Sequence, residues 1–596
     1  MSSLGFVALQ SSKKNSQMPC EEDILRIASR LQNTFVEKKN HTVAIIGLQD
    51  SVIAALVIKQ FVRLAHPQAQ LRVFIFDRCP LAREEVLSDH HHQLQAEMKI
   101  LQKGWPPCFS GAFYLPWPDP RVGVSFQWGD LLVQLGSVNE VFDMCFVEQS
   151  LRPVIDQYLG KHALAFARQS SHSFVPRSHR RRPSRKNYFA RPSVRNAKHI
   201  SIIGGGVAGV SCALLFAKRG FRVSLVDSAE TLMNGASGNR RAAVFTRISP
   251  FDSRNNRFHT SAYHTAIHSL RECSFFQPCG LLSLLQPKEV KQWESFFLQH
   301  ALDDSFAQFC SPPKASEIAG EKIAVPSLYY PQSGLVDPVA MGNMVFQEGG
   351  ISLFLQQKVS KLDRIDEQWR LINTAGEEIV RSEIVIFCTS YQSDAFSIFS
   401  EIPIKPIAGQ ISYVPHGNLN IRTIITADGY ITPQISGSHL VGATYRLFDT
   451  SPDVCANDHR KNLHNLQSID HSLYERSAQI PLDQIDGRVS VRAATNDYMP
   501  IVGPLPDVEF YRENYCALSN GNQHTKYPNA RYREGLYANI GHGSKGFTQS
   551  WLASELLYAL ITGLPLPVDR TVYQALHPGR FLIRKMKRGL HRAKQK

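Results

Sequence analysis

Cysteine is scarce in this chain of 596 residues: there are 11, none in a CxxC pair and none grouped with histidine at metal-ligand spacing. That excludes a zinc ribbon and a disulfide framework, and a reducing compartment is expected. Long apolar runs are also missing. Met1 to Gln17 carries none, so no signal peptide is expected and a cytoplasmic location follows as the expectation. The uncharged stretch Ile200–Ala217 nearly reaches bilayer length, but its glycines come early and Lys218-Arg219-Gly220 follows, so a membrane helix is set aside. No internal repeat or extended low-complexity tract is present. Negative charge is in deficit as well, with 51 Asp and Glu against 66 Lys and Arg, a net +15. Such a balance favours a polyanionic partner, nucleic acid foremost, although a basic surface alone proves none.

What is there begins with Lys198 to Asp227. An apolar strand, Ile200 to Ile203, runs into Gly204-Gly205-Gly206-Val207-Ala208-Gly209, then a helix, a break at Gly220, a second strand Arg222 to Val226 and the acid Asp227. This is a complete dinucleotide fingerprint. Gly204 permits the tight turn, Gly206 lets backbone N–H groups approach a pyrophosphate, and Gly209 lets helix and strand pack closely. Asp227 stands about 20 residues past the glycines, where an acid binding a ribose hydroxyl belongs.

Further pieces point to a flavin rather than a nicotinamide. Ala236, Ser237 and Gly238, within Asn234 to Arg240, are small or hydroxylated and can approach a pyrophosphate and a flavin edge. The strand Glu383 to Phe387 leaves through Cys388-Thr389-Ser390. Near the C-terminus Tyr537 to Ile540 leads into Gly541-His542-Gly543-Ser544-Lys545-Gly546 and an apolar helix, Phe547 to Ile561. Gly541, Gly543, Ser544 and Gly546 would bring bare N–H groups and a positive helix end to the pyrimidine side of a flavin, the alternative being an ordinary capped helix start.

The region before residue 177 alternates strands and a helix: His41 to Ile46, Ser51 to Leu64, Leu71 to Phe76 and Val124 to Trp128. A small α/β domain is expected. Its first strand runs into Gly47-Leu48-Gln49-Asp50-Ser51, which offers little glycine for a nucleotide. Between the two regions, Arg177 to Arg195 is rich in arginine, proline and serine and reads as exposed chain, either a solvated linker or a phosphate-contacting arm.

The pieces from 198 onward, in this order, resemble the D-amino acid oxidase and glycine oxidase superfamily of FAD enzymes. The resemblance includes Pro406 to Gln410, Gly429 to Pro433, Leu440 to Thr444 and Gly487 to Gly503. It implies that Arg492 grips a substrate carboxylate, a task suited to a bidentate guanidinium; the competing reading is a structural ion pair. With the Tyr573 to Arg588 ending and the α/β domain in front, the chain resembles more narrowly the bifunctional tRNA 5-methylaminomethyl-2-thiouridine biosynthesis family. That implies oxidative removal of a carboxymethyl group from wobble uridine in the anticodon region of tRNA. Methylation with S-adenosylmethionine is the family's second activity. Asp77 and Trp128-Gly129-Asp130 match the methyltransferase pattern, but Gly47 to Ser51 and Val147 to Ser150 depart from it. These departures put S-adenosylmethionine binding in doubt and predict methyl transfer that is weak or absent.

The expected fold is α/β: a Rossmann-like methyltransferase domain over 1–176, a basic linker over 177–197, and over 198–596 an FAD-binding Rossmann-like domain with an antiparallel-sheet substrate domain. No metal and no membrane are expected, and the oligomeric state stays open. The tail cations Arg580, Arg584, Lys585, Lys587, Arg588, Arg592, Lys594 and Lys596 form either a phosphate-binding surface with the linker or a frayed tail. Two rivals remain, a free glycine or sarcosine-like oxidase and a non-catalytic tRNA-binding protein.

Overall fold

The computed structural model describes residues 40–46, 51–77, 92–107, 110–138, 140–147, 158–167, 187–194, 196–299, 302–415, 419–521 and 525–590, with Ile155 and a few positions before residue 36. The loops Gly47–Asp50 and Glu148–Ser150, the arginine run 177–186 with Arg195, and Arg592, Lys594 and Lys596 lie outside the described residues. Among the described residues no helix is long and apolar enough to cross a membrane.

The N-terminal region is built on six strands: β1 (Asn40–Ile46), β2 (Gln70–Asp77), β3 (Gly111–Pro116), β4 (Val122–Trp128), β5 (Phe142–Val147) and β6 (Leu159–Ala167). Their order is β3-β4-β2-β1-β5-β6, all parallel except β3, which runs antiparallel to β4. Strands covered on both faces favour apolar runs, which β2 supplies in Val73 to Phe76, while β4 alternates Val122, Val124, Phe126 and Trp128 with Gly123, Ser125 and Gln127 and is buried throughout. Helix α1 (Ser51–Leu64) covers one side, burying ten of its residues. The strand order reverses between β1 and β5, the switch point at which doubly wound sheets open a crevice. The sequence reading located β1, β2, β4 and α1 to within two residues at each end. It did not foresee β3 or β6.

The C-terminal region repeats the plan. Strands β7 (His199–Ile203), β8 (Arg222–Val226), β9 (Ile351–Phe354), β10 (Ile384–Phe387), β11 (Ile501–Pro506) and β12 (Tyr532–Ile540) order as β9-β8-β7-β10-β12-β11, with β11 antiparallel. Helix α2 (Val207–Lys218) follows the glycine turn. A separate nine-stranded, mainly antiparallel sheet carries the long pair Lys405–Pro415 and Asp486–Ala494, registered from Lys405↔Ala494 to Tyr413↔Asp486. This matches the expected α/β class with an antiparallel second sheet.

Helix α3 (Arg254–Leu270) and helix α4 (Gly546–Thr562) complete the core. Helix α4 is apolar on nearly every face and is buried throughout, as such a helix must be. Its one acid, Glu555, meets Arg219 at 2.7 Å with both side chains 4% exposed. Helix α3 also docks the N-terminal region. Thr265 Oγ1 donates to the Tyr114 carbonyl of β3 at 3.0 Å, and His264 Nε2 to the Gly104 carbonyl at 2.9 Å.

Two stretches expected to be exposed are packed. Tyr188 and Phe189, at the end of the basic segment, sit with Tyr511, Tyr515, Leu582 and Met586 in one apolar cluster. Of the tail cations, Arg580 is 2% exposed and pairs with Asp497 at 2.9 Å. Arg584 joins the same carboxylate at 2.7 Å, and Lys585 meets Glu401 at 2.8 Å. These three cations are consumed by the fold because carboxylates distant in sequence come within reach. Lys587 and Arg588 remain exposed.

Candidate active site

A cleft of about 1120 Å³ opens at the C-terminal ends of β7, β8 and β10 and runs to the antiparallel sheet. Its floor is the glycine turn. Gly204 has φ +110, and a Cβ there would stand 2.5 Å from the Cys388 carbonyl oxygen. Gly204, Gly206 and Asp227 all line the cleft. Gly209 does not; a Cβ on it would stand 1.8 Å from the Gly204 carbonyl oxygen, so its absence lets α2 lie against the turn. The Asp227 carboxylate accepts from the Gly205 N–H and from the Ala229 N–H at 2.7 Å, which ties the end of β8 to the turn.

The loop after β8 closes over the start of α2. Ser237 Oγ accepts from the Val207 N–H at 2.9 Å, and Ala236 and Ser237 face the cleft. Gly238 lies behind them, where a Cβ would meet the Met233 carbonyl oxygen at 2.4 Å. From the other side Gly541, Gly543, Ser544 and Gly546 line the cleft at the start of α4. The start of α4, where a helix carries N–H groups without intrahelical partners, therefore borders the space.

Arg492 reaches the same cleft from the antiparallel sheet. It stands opposite Ile407, and the missing side chain of Gly409 leaves room for it, since a Cβ there would lie 2.3 Å from Arg492 Nη1. Among the described residues it forms no ion pair with a carboxylate. Its contacts are the Thr444 carbonyl at 3.5 Å and the face of Tyr445, 4.9 Å from Cζ to the ring centroid. Tyr430 lines the cleft from another strand of the same sheet. Burial pushes its phenol up to about 12 against the pull of Arg492, so it stays protonated at neutral pH.

His542 is held between two side-chain amides, Nδ1 3.1 Å from Gln549 Oε1 and Nε2 2.9 Å from Asn539 Oδ1. Each ring nitrogen thus lies against an amide oxygen, and a neutral imidazole donates to one of the two. Lys545 does not line the cleft; it lies 5.9 Å from the Phe245 ring, and burial lowers it to about 8. Among the described residues no group of three or more His, Cys, Asp or Glu is placed to hold a metal.

Ten of the twelve site residues singled out in the sequence thus border one cleft, while Gly209 and Gly238 shape its walls from behind. Tyr430 and Tyr445 were missed as side chains. Tyr430 lies within Gly429 to Pro433, which stood out, and Tyr445 directly follows Leu440 to Thr444, but only their placement near an arginine of another strand marks the rings.

Among curated proteins, the chain is 32% identical over 414 residues to the tRNA 5-methylaminomethyl-2-thiouridine biosynthesis bifunctional protein MnmC of Pseudomonas putida, covering 67% of this chain and 62% of that protein. It is 30% identical over 413 residues to the protein of the same name from Stutzerimonas stutzeri, covering 68% and 62%. The chain thus spans about 62% of the length of these relatives. Among solved structures, glycine oxidase from Geobacillus kaustophilus matches with a TM-score of 0.47 at 19% identity, over 62% of this chain and 95% of that one. Residues 199–560, which hold the glycine turn, both of its sheets and Arg492, match the family model for FAD dependent oxidoreductase. The chain belongs to that family of FAD dependent oxidoreductases.

Proposed function

We propose that this protein is a cytoplasmic tRNA-modifying oxidoreductase that removes the carboxymethyl group from 5-carboxymethylaminomethyl-uridine, or its 2-thio form, at the wobble position. The observation that carries the reading is Arg492, a guanidinium without a carboxylate partner among the described residues, inside a cleft floored by a dinucleotide turn. The arm to be removed is an N-alkylated glycine, whose carboxylate suits that guanidinium. The RNA comes from the names of the Pseudomonas putida and Stutzerimonas stutzeri relatives.

The cleft's residues fit FAD. The close approach at Gly204 leaves no room for a side chain. Gly204, Gly206, Ala236 and Ser237 would face the pyrophosphate, and Asp227 a ribose hydroxyl. Gly541, Gly543, Ser544 and Gly546, with the N-terminal end of α4, would meet the pyrimidine side of the ring. Gly209 and Gly238 keep these walls in place without contact. Bound there, FAD supplies a two-electron acceptor for the hydride equivalent leaving the glycine α-carbon.

The chain's own contribution is positioning. Arg492 fixes the carboxylate, and the protonated phenol of Tyr430 stands beside it as a hydrogen-bond donor. The substrate amine is neutral when it reacts and loses one proton as the C–N double bond forms. Water then adds to that imine, and C–N cleavage gives glyoxylate and aminomethyl-uridine. The N-terminal region contributes little or no methyl transfer on this reading, because Gly47 to Ser51 keeps a single glycine.

Purified protein incubated with hypomodified tRNA, with and without S-adenosylmethionine, followed by mass analysis of the nucleosides, tests both parts. Aminomethyl-uridine is expected in either case. Oxidation of sarcosine with the tRNA unchanged would overturn the RNA reading, and methylaminomethyl-uridine appearing only with the donor would overturn the view of the N-terminal region.

A further inference from the structure

At the mouth of the cleft the fold leaves aromatic surface bare. Tyr445 lines the cleft yet is 65% exposed, and Phe448, three residues on, is 66% exposed. The backbone that presents them is pinned. Arg446 pairs with the buried Asp458 at 3.0 Å and with Asp449 at 2.8 Å, and the Phe448 N–H donates to the Pro406 carbonyl at 2.9 Å. Arg446 and Leu447 also pair with Ala408 and Ile407 in the sheet.

Each exposed ring has a cation beside it. Arg492 Cζ is 4.9 Å from the Tyr445 centroid, and Lys405 Nζ is 5.8 Å from that of Phe448. Aromatic faces alternating with cations suit a polynucleotide, whose bases stack while its phosphates seek positive charge. A protein partner would favour a patch with its charges cleared from the centre. Reach agrees with this choice. In a carboxymethylaminomethyl arm four bonds separate the carboxyl carbon from the base, about 5 Å when extended. With its carboxylate on Arg492, the base is therefore within contact distance of a ring whose centre lies 4.9 Å from the guanidinium carbon.

We propose that Tyr445 is the stacking platform for the target nucleobase, so that Arg492 and Tyr445 together read an N-carboxymethyl group attached to an aromatic ring. This rests on the function proposed above. It adds a selectivity for RNA-borne arms over free amino acids, because the stack is absent in sarcosine. Tyr445 is a positioning residue, not a proton carrier.

The test uses the FAD-loaded full chain, mixed anaerobically with tRNA bearing the carboxymethylaminomethyl arm. Bleaching of the flavin is followed against tRNA concentration, and tRNA affinity is read separately by anisotropy. Tyr445→Ala should raise the half-saturating concentration and weaken affinity roughly 5- to 150-fold, the range expected for one lost base stack. Tyr445→Phe should stay within about threefold of the parent, and Tyr445→Leu should fall with the alanine variant, since an aliphatic chain offers no π-face. The loss on tRNA should exceed any loss on sarcosine at least about fivefold. An alanine variant within twofold of the parent on tRNA would overturn the proposal, as would a phenylalanine variant that fails equally or a leucine variant that performs as the parent. Loss of yellow colour from the alanine variant would assign the ring to the cofactor and overturn it too. If the parent is bleached by sarcosine and never by tRNA, the proposed function itself has failed.

Discussion

Two doubly wound sheets lie in one chain, and the sequences of their first turns differ. In both, the first strand is central and the second lies beside it and leads to an acid, Asp77 or Asp227; the next strands add outside the second, β4 or β9, before the chain reaches the other side at β5 or β10. After β7 the turn is three glycines and borders a cleft of about 1120 Å³. After β1 the sequence offers one glycine followed by Leu48, Gln49 and Asp50. The N-terminal sheet instead gives an edge to the rest of the molecule: β3 lies along α3, with Tyr114 1% exposed and within reach of Thr265. A doubly wound sheet provides a crevice, but the residues of the turn decide whether a dinucleotide can enter it.

The hardest way to break this comparison is to spoil the C-terminal turn. Gly209→Val places a side chain where even a Cβ would lie 1.8 Å from the Gly204 carbonyl. Helix α2 cannot then rest on the turn, and the expected result is a protein that retains no FAD after gel filtration. A yellow Gly209→Val protein would show that the turn is not the cofactor's seat. Next in size is Arg492→Met, which keeps the bulk of the side chain and removes its charge. Loss of a charge-assisted carboxylate contact should lower kcat/KM roughly 10²- to 10³-fold while the flavin spectrum persists. Undiminished turnover would remove Arg492 from the site.

How much of this could be read from the chain depends on how local the cause is. Strand β8 and helix α1 fall on the residues that the pattern selects, because short-range periodicity and the glycine and acid punctuation suffice. Strand β3, Gly-Ala-Phe-Tyr-Leu-Pro, has no alternation to announce it, and what buries it is α3, well over a hundred residues later. The tail arginines misled for the same reason. Asp497 lies 83 residues before Arg580, and only the fold shows that the pair is internal. Burial pushes Asp497 up, yet the Arg580 and Arg584 guanidiniums hold its carboxyl well below the usual range. Gly204, Gly206 and Asp227 were legible because one short segment contains them; Tyr430 and Tyr445 were not, because their meaning comes from Arg492 on another strand.

A smaller effect separates the two acids. Asp227→Ala removes the acceptor of two backbone N–H groups at the turn as well as the proposed ribose contact. FAD affinity should drop about tenfold or more, as for a lost charged hydrogen bond. Asp77→Ala in the N-terminal sheet should leave FAD affinity within twofold. Titration of the two apoproteins with FAD checks this, and equal losses would mean that the N-terminal sheet takes part in the flavin site.

Acid should distinguish the regions most gently. Burial lowers His542 to about 4, and burial together with Lys545 or Arg580 lowers His259 and His577 to about 3. In an unfolded chain each titrates near 6.5. The native state thus excludes protons that the unfolded state accepts below that value. The stability is fully present above about pH 6.5 and is lost as pH falls toward about 4 for His542 and about 3 for His259 and His577, by at most about 1.4 kcal/mol per pH unit for each histidine. All three lie in the C-terminal region, on α3, beside α4 and before the tail helix. Hydrogen exchange at about pH 7.5 and pH 5 should therefore show β7, β10 and α4 losing protection before β1, β2 and β5. His542→Gln should flatten the pH dependence of the urea midpoint by one histidine's share, since a glutamine has no proton to gain. An unchanged slope would mean that His542 already carries its proton in the native protein, and the two amides around it would then be its acceptors.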